Sequence, residues 1–170
     1  MDKNQAVINY LLTCPSIKDT PLYFNFINAK NDHTQFITVS NDTMINQPYI
    51  DGSVAKRYDF TIIIFKSIST NPISKNVLYP DENVEDMSDV QAVIDWIETQ
   101  NENRVFPDFG SNCVIDSIAT TTTNPNLNSI DTTVSPALAR YSITIRIEYI
   151  DYTKSIYNIR TEVVLNELTN

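Results

Sequence analysis

The sequence predicts an α+β fold, a largely antiparallel sheet with one longer helix and a short N-terminal helix packed on it. The segment "ARYSITIRIEYI", from Ala139, alternates apolar and polar residues as a half-buried strand does. Residues 84–101, "VEDMSDVQAVIDWIETQN", carry apolar residues at helical spacing. Strand-like runs dominate the remainder, which favours helices segregated from an antiparallel sheet. With 170 residues, 42% of them hydrophobic, we expect one domain over 1–150 and a C-terminal extension over 151–170.

The N-terminal part of the chain predicts a short helix, a hairpin and a loop. In "KNQAVINYLLTCP", Val7, Tyr10 and Leu11 fall on one helical face. The runs "PLYFNFI" and "TQFITVS" are strand-like and are separated by a polar Asn/Asp turn, which indicates a hairpin. Residues 41–53 mix turn formers with scattered apolar side chains, and we interpret them as a long loop.

The strand in "KRYDFTIIIFKS", from Lys56, is expected at the centre of the sheet. One face carries large apolar side chains at every second position, namely Tyr58, Phe60, Ile62 and Ile64. The opposite face changes from polar Asp59 and Thr61 to apolar Ile63 and Phe65. A strand that is apolar on both faces over part of its length is typical of a central position.

The helix predicted at 84–101 has an apolar stripe and an acidic start. The stripe contains Val84, Met87, Val90, Ile94 and Ile97, widened by Val93 and Trp96. Five acids crowd the first turns, where the helix dipole favours negative charge: Asp81, Glu82, Glu85, Asp86 and Asp89. A calcium loop would need a turn-forming glycine that this segment lacks, so we predict no metal site here.

The segment "FPDFG" contains Asp108-Phe109-Gly110, a tripeptide that holds magnesium in protein kinases. The chain has two glycines, Gly52 and Gly110, and therefore no glycine-rich loop that could cradle a phosphate. The same segment also has the composition of a turn that ends a helix. Pro107 and Asp108 suit its first positions, and Gly110, after Phe109, can adopt a positive φ. We predict a structural turn.

Three segments follow this turn. "CVIDSIAT" is expected to form a shorter strand. "TTTNPNLNSIDTTVSP", from Thr121, shows no periodicity and is predicted to be a mobile loop that could serve as a partner-binding arm. The closing strand should bury one face and leave its polar face in water or at an interface.

The composition narrows the function classes. A net charge of −9 and a pI near 4.4 argue against a protein that grips nucleic acid, because such binding relies on cationic side chains. The acidity is compatible with a DNA conduit and equally with ordinary solubility. The sequence contains no membrane-spanning run and no signal pattern, so we expect a protein that is soluble and cytosolic at synthesis, with no membrane partner.

Nucleophiles and metal ligands are sparse. Cys14 and Cys113 lack zinc spacing, and reduced thiols are favoured over a disulfide. His33 is the single histidine; it could pair with Cys14 as a nucleophile, but a solvated turn histidine is favoured. We therefore predict no enzyme activity and no catalytic, cofactor-binding or metal-binding residues.

Several segments together resemble a family of small virion proteins from tailed phages and prophages of Gram-positive bacteria. They are "INYLLTCPSI" with "LYFNFI", "YIDGSVAKRYDFTI", "VQAVIDWIETQN" followed by "FPDFG", and "YSITIRIEYID". The similarity spans residues 8–151, and the coupling of "DWIE" to "FPDFG" is its most specific part. Members of the family are called minor capsid proteins and are similar in layout to lambda-type tail terminators. None of these segments is a catalytic motif.

The resemblance implies a structural protein of the phage neck. It would form a homo-oligomeric ring, commonly a hexamer, that caps the tail tube and presents a surface to the head–tail connector. DNA would pass through the lumen without specific binding, and the protein would reside in the virion after synthesis in the bacterial cytoplasm. A closed ring joins two different patches of neighbouring copies. We predict these patches at Met44, Tyr49, Lys56, Arg57, Asn126, Asp131, Arg140 and Arg146.

Two other interpretations remain open at this stage. A head–tail connector or stopper, or another minor capsid protein, would share the small α+β architecture and the acidic composition. A more distant alternative is an acidic binding module unrelated to virions. Neighbouring genes for a portal and a tail-tube protein would distinguish the virion interpretations from the binding module.

Overall fold

The computed structural model describes residues 2–25, 33–38, 43–45, 47–68 and 82–156, with the backbone alone at 33–38 and 82–84. The two helices are α1 (Lys3–Leu11) and α2 (Glu82–Glu102). The strands are β1 (Leu22–Phe24), β2 (His33–Thr38), β3 (Thr43–Met44), β4 (Val54–Ile68), β5 (Cys113–Thr120), β6 (Asn126–Asp131) and β7 (Ala137–Asp151). The α+β class is confirmed.

The strands form a sheet in the order β1-β2-β4-β7-β5, with β3 beside β4 and β6 beside β7. The long strands β4 and β7 pair antiparallel over their full lengths, from Val54↔Asp151 to Ile68↔Ala137. Each is long enough for two shorter strands to share its outer edge, and β7 carries both β5 and β6 in this way. The predicted central strand and closing strand are both confirmed.

The core lies between the two helices and one face of the sheet. Phe60, Ile62, Ile143 and Ile145 on that face are fully buried. These side chains pack against the predicted apolar stripe of α2. Within that stripe Val90, Val93, Ile94 and Ile97 are at most 1% exposed, whereas Met87, near its start, is 47% exposed. Each such side chain stabilises the fold by about 1.5–3 kcal/mol relative to exposure. The periodic pattern thus identified the packing face of α2.

The short N-terminal helix is confirmed. The Asp2 side chain caps α1 by accepting from the Asn4 backbone N–H at 3.3 Å. Val7 and Leu11 are fully buried, and the Tyr10 ring lies 4.9 Å from the Trp96 ring of α2. These contacts join α1 to α2 over the same sheet face.

The predicted hairpin is wrong. β1 and β2 run parallel, with Leu22 opposite Thr34, and the antiparallel neighbour of β2 is β4. A hairpin requires antiparallel neighbours. Asn25, directly after β1, adopts a positive φ of 49°, which turns the chain away from an extended course.

The predicted mobile loop at 121–136 is also wrong in part, because β6 lies within it. Asn126 to Asp131 pair with Ser142 to Leu138 of β7, and the register shifts between Leu127 and Ser129. Five of its six side chains are exposed, so no apolar alternation marks the strand. Backbone pairing along a bulged edge holds it instead.

The other predicted loop, 41–53, contains the short strand β3 and a tight turn. Gly52 adopts a φ of +85°, and a Cβ on it would lie 2.5 Å from the Lys154 carbonyl oxygen. Glycine is therefore required both by conformation and by close approach. The chain after β7 packs on this turn, because the Ile156 N–H donates to the Asp51 carbonyl at 2.8 Å and the Ser155 hydroxyl donates to the Asp51 carboxylate at 2.9 Å. The predicted C-terminal extension thus starts on this subunit, and residues 157–170 lie outside the described residues.

Candidate functional site

The sheet has two unlike faces, because both helices cover the same one. The opposite side is called the open face here and is formed by alternate residues of the two longest strands: Arg57, Asp59 and Thr61 of β4, and Arg140, Ser142, Thr144, Arg146 and Glu148 of β7. These β7 side chains are all partly exposed. The polar residues that alternate along β7 therefore form a partly exposed polar surface, as the sequence predicted.

Ion pairs and hydrogen bonds across β4 and β7 order the middle of the open face. Asp59 accepts a hydrogen bond from Arg146 Nε at 3.1 Å, and Arg57 Nε lies 3.2 Å from its second oxygen as an ion pair without hydrogen-bond geometry. The Thr61 and Thr144 hydroxyls are 3.0 Å apart. The Asp59 side chain is 15% exposed and the two arginine side chains are 35% and 39% exposed, so each pair contributes on the order of 1 kcal/mol. Their main effect is to fix where charge lies on the face.

Toward the start of β7 the open face becomes apolar, and its apolar side chains there are buried from solvent. Ile63, Phe65 and Leu138 lie there and are at most 5% exposed, outside the main core cluster. Arg140 stands opposite Phe65 in the register, and its buried Nε atom has no hydrogen-bond partner within the described part of the chain. The predicted change of this face from polar to apolar along β4 is confirmed.

The predicted interface residues fall into two groups. The first lies at the end of the sheet nearer the 45–53 segment: Met44 pairs with Lys56, Thr43 pairs with Arg57, and Arg146 shares Asp59 with Arg57. Tyr49 belongs to the same end through its position in the loop between β3 and β4.

The second group lies at the other end of β7. Asn126 pairs with Ser142, Asp131 pairs with Leu138, and Arg140 pairs with Ser129. Arg140 and Arg146 are six positions apart on β7, which corresponds to about 20 Å along a strand. The structure therefore brings the eight residues together as two separate patches.

Lys56 and Met44 pair with each other and lie on the helix-covered side of the sheet, unlike Arg57 and Arg146. The Lys56 Nζ donates to the Asp151 carboxylate at 2.8 Å. Partial burial raises the pKa of Asp151, but hydrogen bonds from Lys56 and Thr153 outweigh this effect and lower the pKa to about 2. Lys56 thus has a structural role in joining β4 to the end of β7.

The turn around Asp131 is ordered by its own side chain. The carboxylate accepts from the Thr133 backbone N–H at 2.9 Å and from the Thr133 hydroxyl at 2.6 Å. These hydrogen bonds from Thr133 lower the pKa of Asp131. The segment that follows β6 is therefore held in a defined turn.

The loop between β3 and β4 exposes apolar side chains. Ile50 is fully exposed, and Met44 and Tyr49 are about half exposed. The loop is nevertheless ordered, because Tyr49 and Ser53 are joined by a backbone hydrogen bond of 2.9 Å and the Asp51 carboxylate accepts from the Ser53 hydroxyl at 2.7 Å. A fixed apolar projection of this kind favours contact with another molecule.

Sequence reasoning missed several residues of this surface. Asp59 was assigned only to a polar face, and its two arginine partners follow from a β4–β7 register that no local pattern reveals. Asp116 and Glu148 border the loop through strands distant in sequence. Ile50 could have been singled out, because an isoleucine beside the Asp-Gly turn in "YIDGS" is an unusual place for a large apolar side chain.

The "FPDFG" segment forms the predicted turn. Gly110 has a φ of 92°, and its N–H donates to the Asp108 carboxylate at 2.8 Å. Phe109 is buried edge-on against Tyr149 and Tyr58, with ring centroids 5.3 and 5.8 Å away. Lys3 Nζ donates to the Tyr149 hydroxyl at 2.6 Å. The turn thus closes an aromatic cluster beneath the start of α1.

The two cysteines are free thiols. Burial raises the pKa of Cys14, which keeps the thiol protonated and makes it a poor nucleophile. The His33 side chain lies outside the described side chains. Among the residues that the structure describes, no three His, Cys, Asp or Glu side chains are grouped to hold a metal ion, and no described helix has the length and apolar content to cross a membrane.

Comparison of the chain with protein-family models and with curated proteins finds no match.

Proposed function

We propose that this protein is a structural component of the phage neck, a tail terminator that forms a ring, caps the tail tube and presents a surface to the head–tail connector. The observation that carries the proposal is the separation of the open face into two unlike patches at opposite ends of one long strand. Ring closure needs two different patches on each copy, because copies related by rotation meet head to tail.

The first patch consists of Tyr49, Arg57 and Arg146, with Ile50 projecting beside it and Met44 at the same end on the other side of the sheet. It combines apolar side chains with a fixed charge pattern, which is the usual composition of an assembly interface. The second consists of Asn126, Asp131 and Arg140 along β6 and the start of β7. The half-exposed Leu127 and Ile130 of β6 pair with Tyr141 and Ala139, so they face the helix-covered side of the sheet and lie outside this patch.

The acidic character of the chain supports a conduit role. A net charge of −9 leaves little to attract a duplex, so DNA would slide past a wall built from this protein rather than adhere to it. The ring would therefore contact the tail tube and the connector by protein–protein surfaces and would reside in the virion.

Deletion of the gene from its phage or prophage tests the assignment. If the protein is a terminator, the deletion should give tails of uncontrolled length and filled heads without tails, because nothing stops growth of the tube. Tails of normal length that fail to join filled heads would instead indicate a connector or stopper. Normal infectious particles would contradict both.

A further inference from the structure

A pocket lies where the loop between β3 and β4 crosses the end of the open face. It has a volume of about 220 Å³ and is half open to solvent. Its lining combines mainly apolar residues with two carboxylates: Ile45, Tyr49, Ala55, Tyr149, Ile150, Asp116 and Glu148, of which Tyr149 is 1% exposed. Four separate segments of the chain build it, so it exists only in the folded sheet.

The two carboxylates give the pocket its chemistry. Glu148 is on β7, opposite Arg57 of β4. Asp116 is on β5, at the point between Ile115 and Ser117 where the β5–β7 register shifts. Within the described residues, neither carboxylate forms an ion pair. The Asp116 side chain is exposed and that of Glu148 is half-buried. Two carboxylates beside an apolar wall and the exposed Tyr49 ring favour a cation that carries an aliphatic stem.

The size of the pocket limits what can enter it. Sites for drug-sized ligands occupy about 300–1,000 Å³, whereas a cavity of about 150 Å³ holds a single benzene ring. A volume of about 220 Å³ therefore fits one large side chain. An arginine suits it best, because its planar guanidinium can stack on Tyr49 and pair with a carboxylate.

We propose that this pocket is the docking site for an arginine side chain presented by a different protein. Among the described residues, most cations are engaged: Lys56 with Asp151, Arg57 and Arg146 with Asp59, Lys66 with Asp86 and Asp89, Lys3 with Tyr149, and Arg104 with the Asp116 carbonyl. Of the described arginines, a second copy could offer Arg140, but it would carry the same negative net charge. The net charge of −9 draws in a basic partner.

The surroundings of the pocket support a protein partner rather than a free small molecule. Ile50 is fully exposed on the bordering loop, and Val114, half exposed, pairs with Ile150 of the pocket wall. An arginine that enters the pocket would bring the backbone and neighbouring side chains of its partner onto this apolar rim. Arginine anchors surrounded by apolar contacts are common at the energetic centres of interfaces. The inference is tested on the free chain and does not depend on the proposed neck function, in which Tyr49 would face the next copy.

An NMR titration of the ¹⁵N-labelled full chain tests the site. The probes are the capped tripeptides acetyl-Ala-Arg-Ala-amide and acetyl-Ala-citrulline-Ala-amide at matched ionic strength, since citrulline keeps the shape of arginine and removes its charge. We expect saturable shifts at the amides of Ile45, Tyr49, Asp116 and Glu148 with the arginine peptide, with a Kd on the order of 1–10 mM for a single anchor. The citrulline peptide should bind at least about fivefold more weakly.

Variants of the chain complete the test. Asp116→Asn should weaken binding of the arginine peptide, and Asp19→Asn, an equal loss of charge on an exposed residue far along the chain, should not. Equal affinity for both peptides, shifts spread over other surfaces, or no shifts up to about 10 mM would each overturn the proposal. Concentration-dependent shifts of the same four amides without peptide would also overturn it, because the occupant would then be a second copy.

Discussion

Arg146 on β7 donates a hydrogen bond to the Asp59 carboxylate on β4 at 3.1 Å, and Arg57 approaches the same carboxylate from the other side. One acid is thus shared by two cations on a face that neither α1 nor α2 covers. The arrangement is only partly buried and stabilises the fold by on the order of 1 kcal/mol per pair, and it fixes a charge pattern on this face.

The shared carboxylate should matter for assembly more than for folding. Asp59→Asn should change the free energy of unfolding by on the order of 1 kcal/mol. The same variant should reduce incorporation into particles, because two arginines are left without their common partner. Urea denaturation and quantitative mass spectrometry of purified particles measure the two effects, and a large loss of stability with normal incorporation would contradict this assignment.

The projecting loop offers a second test of the open face. Ile50→Ser should leave the melting temperature unchanged, because Ile50 is fully exposed, and should lower incorporation into particles. Met87→Ser is the control, since Met87 is an apolar residue of similar size that is 47% exposed on α2. Equal incorporation of both variants would show that the loop makes no assembly contact.

The packing of α2 predicts a large effect in the core. Ile94 is fully buried against the sheet, so Ile94→Ala should cost about 2–5 kcal/mol and lower the melting temperature by roughly 4–20 °C. Glu98→Ala, on the exposed side of the same helix, should change it little. A parental melting temperature for Ile94→Ala would mean that the helix packs by another face.

The salt link between Lys56 and Asp151 predicts a pH dependence. The pKa of Asp151 is about 2 in the folded protein against an ordinary value of 3.8, so its contribution is present above about pH 4 and is lost as the pH falls toward 2. After allowance for solvent screening the contribution is about 1–2 kcal/mol. Asp151→Asn should therefore be less stable than the parent at pH 7 and approach it near pH 2. A constant difference in urea denaturation between the two pH values would contradict this.

The turn at "FPDFG" separates a structural role from a metal or nucleotide site. Asp108→Asn keeps an acceptor for the Gly110 N–H and should fold and assemble normally. Gly110→Val should be destabilised by about 1–3 kcal/mol, and backbone strain alone is responsible because a Cβ there meets no atom within 4 Å. Calorimetric titration with Mg²⁺ and ATP gives the opposing outcome: affinity in the parent that Asp108→Asn abolishes would reopen an enzymatic interpretation.

The sequence was sufficient for elements whose pattern is local. β4, β7 and α2 each repeat their apolar residues at the period of the structure they adopt, so their buried faces could be named. The parallel pairing of β1 with β2 could not be predicted, because it depends on the antiparallel pairing of β2 with β4, a strand whose paired residues lie more than twenty positions further along the chain. β6 shows no alternation of apolar and polar residues, because most of its side chains are exposed and the strand is held by backbone hydrogen bonds to β7.

The candidate site was accessible to sequence reasoning only in part. The polar face of β7 was predicted correctly, and Arg146 with it. The sharing of Asp59 and the pocket beside Tyr49 arise from segments far apart in the chain, and a register shift at Asp116 contributes to that pocket. These contacts depend on the strand register of the folded sheet, which no local sequence pattern specifies.

The most direct measurement of the central claim is a cryo-electron microscopy reconstruction of the assembled neck. We expect a closed hexameric ring at the head-proximal end of the tail tube, in which the patch around Arg57 and Arg146 of each copy faces the patch around Asn126 and Arg140 of the next. A ring of another size would contradict the copy number. A single isolated copy, or a ring joined through the helix-covered face, would contradict the account itself.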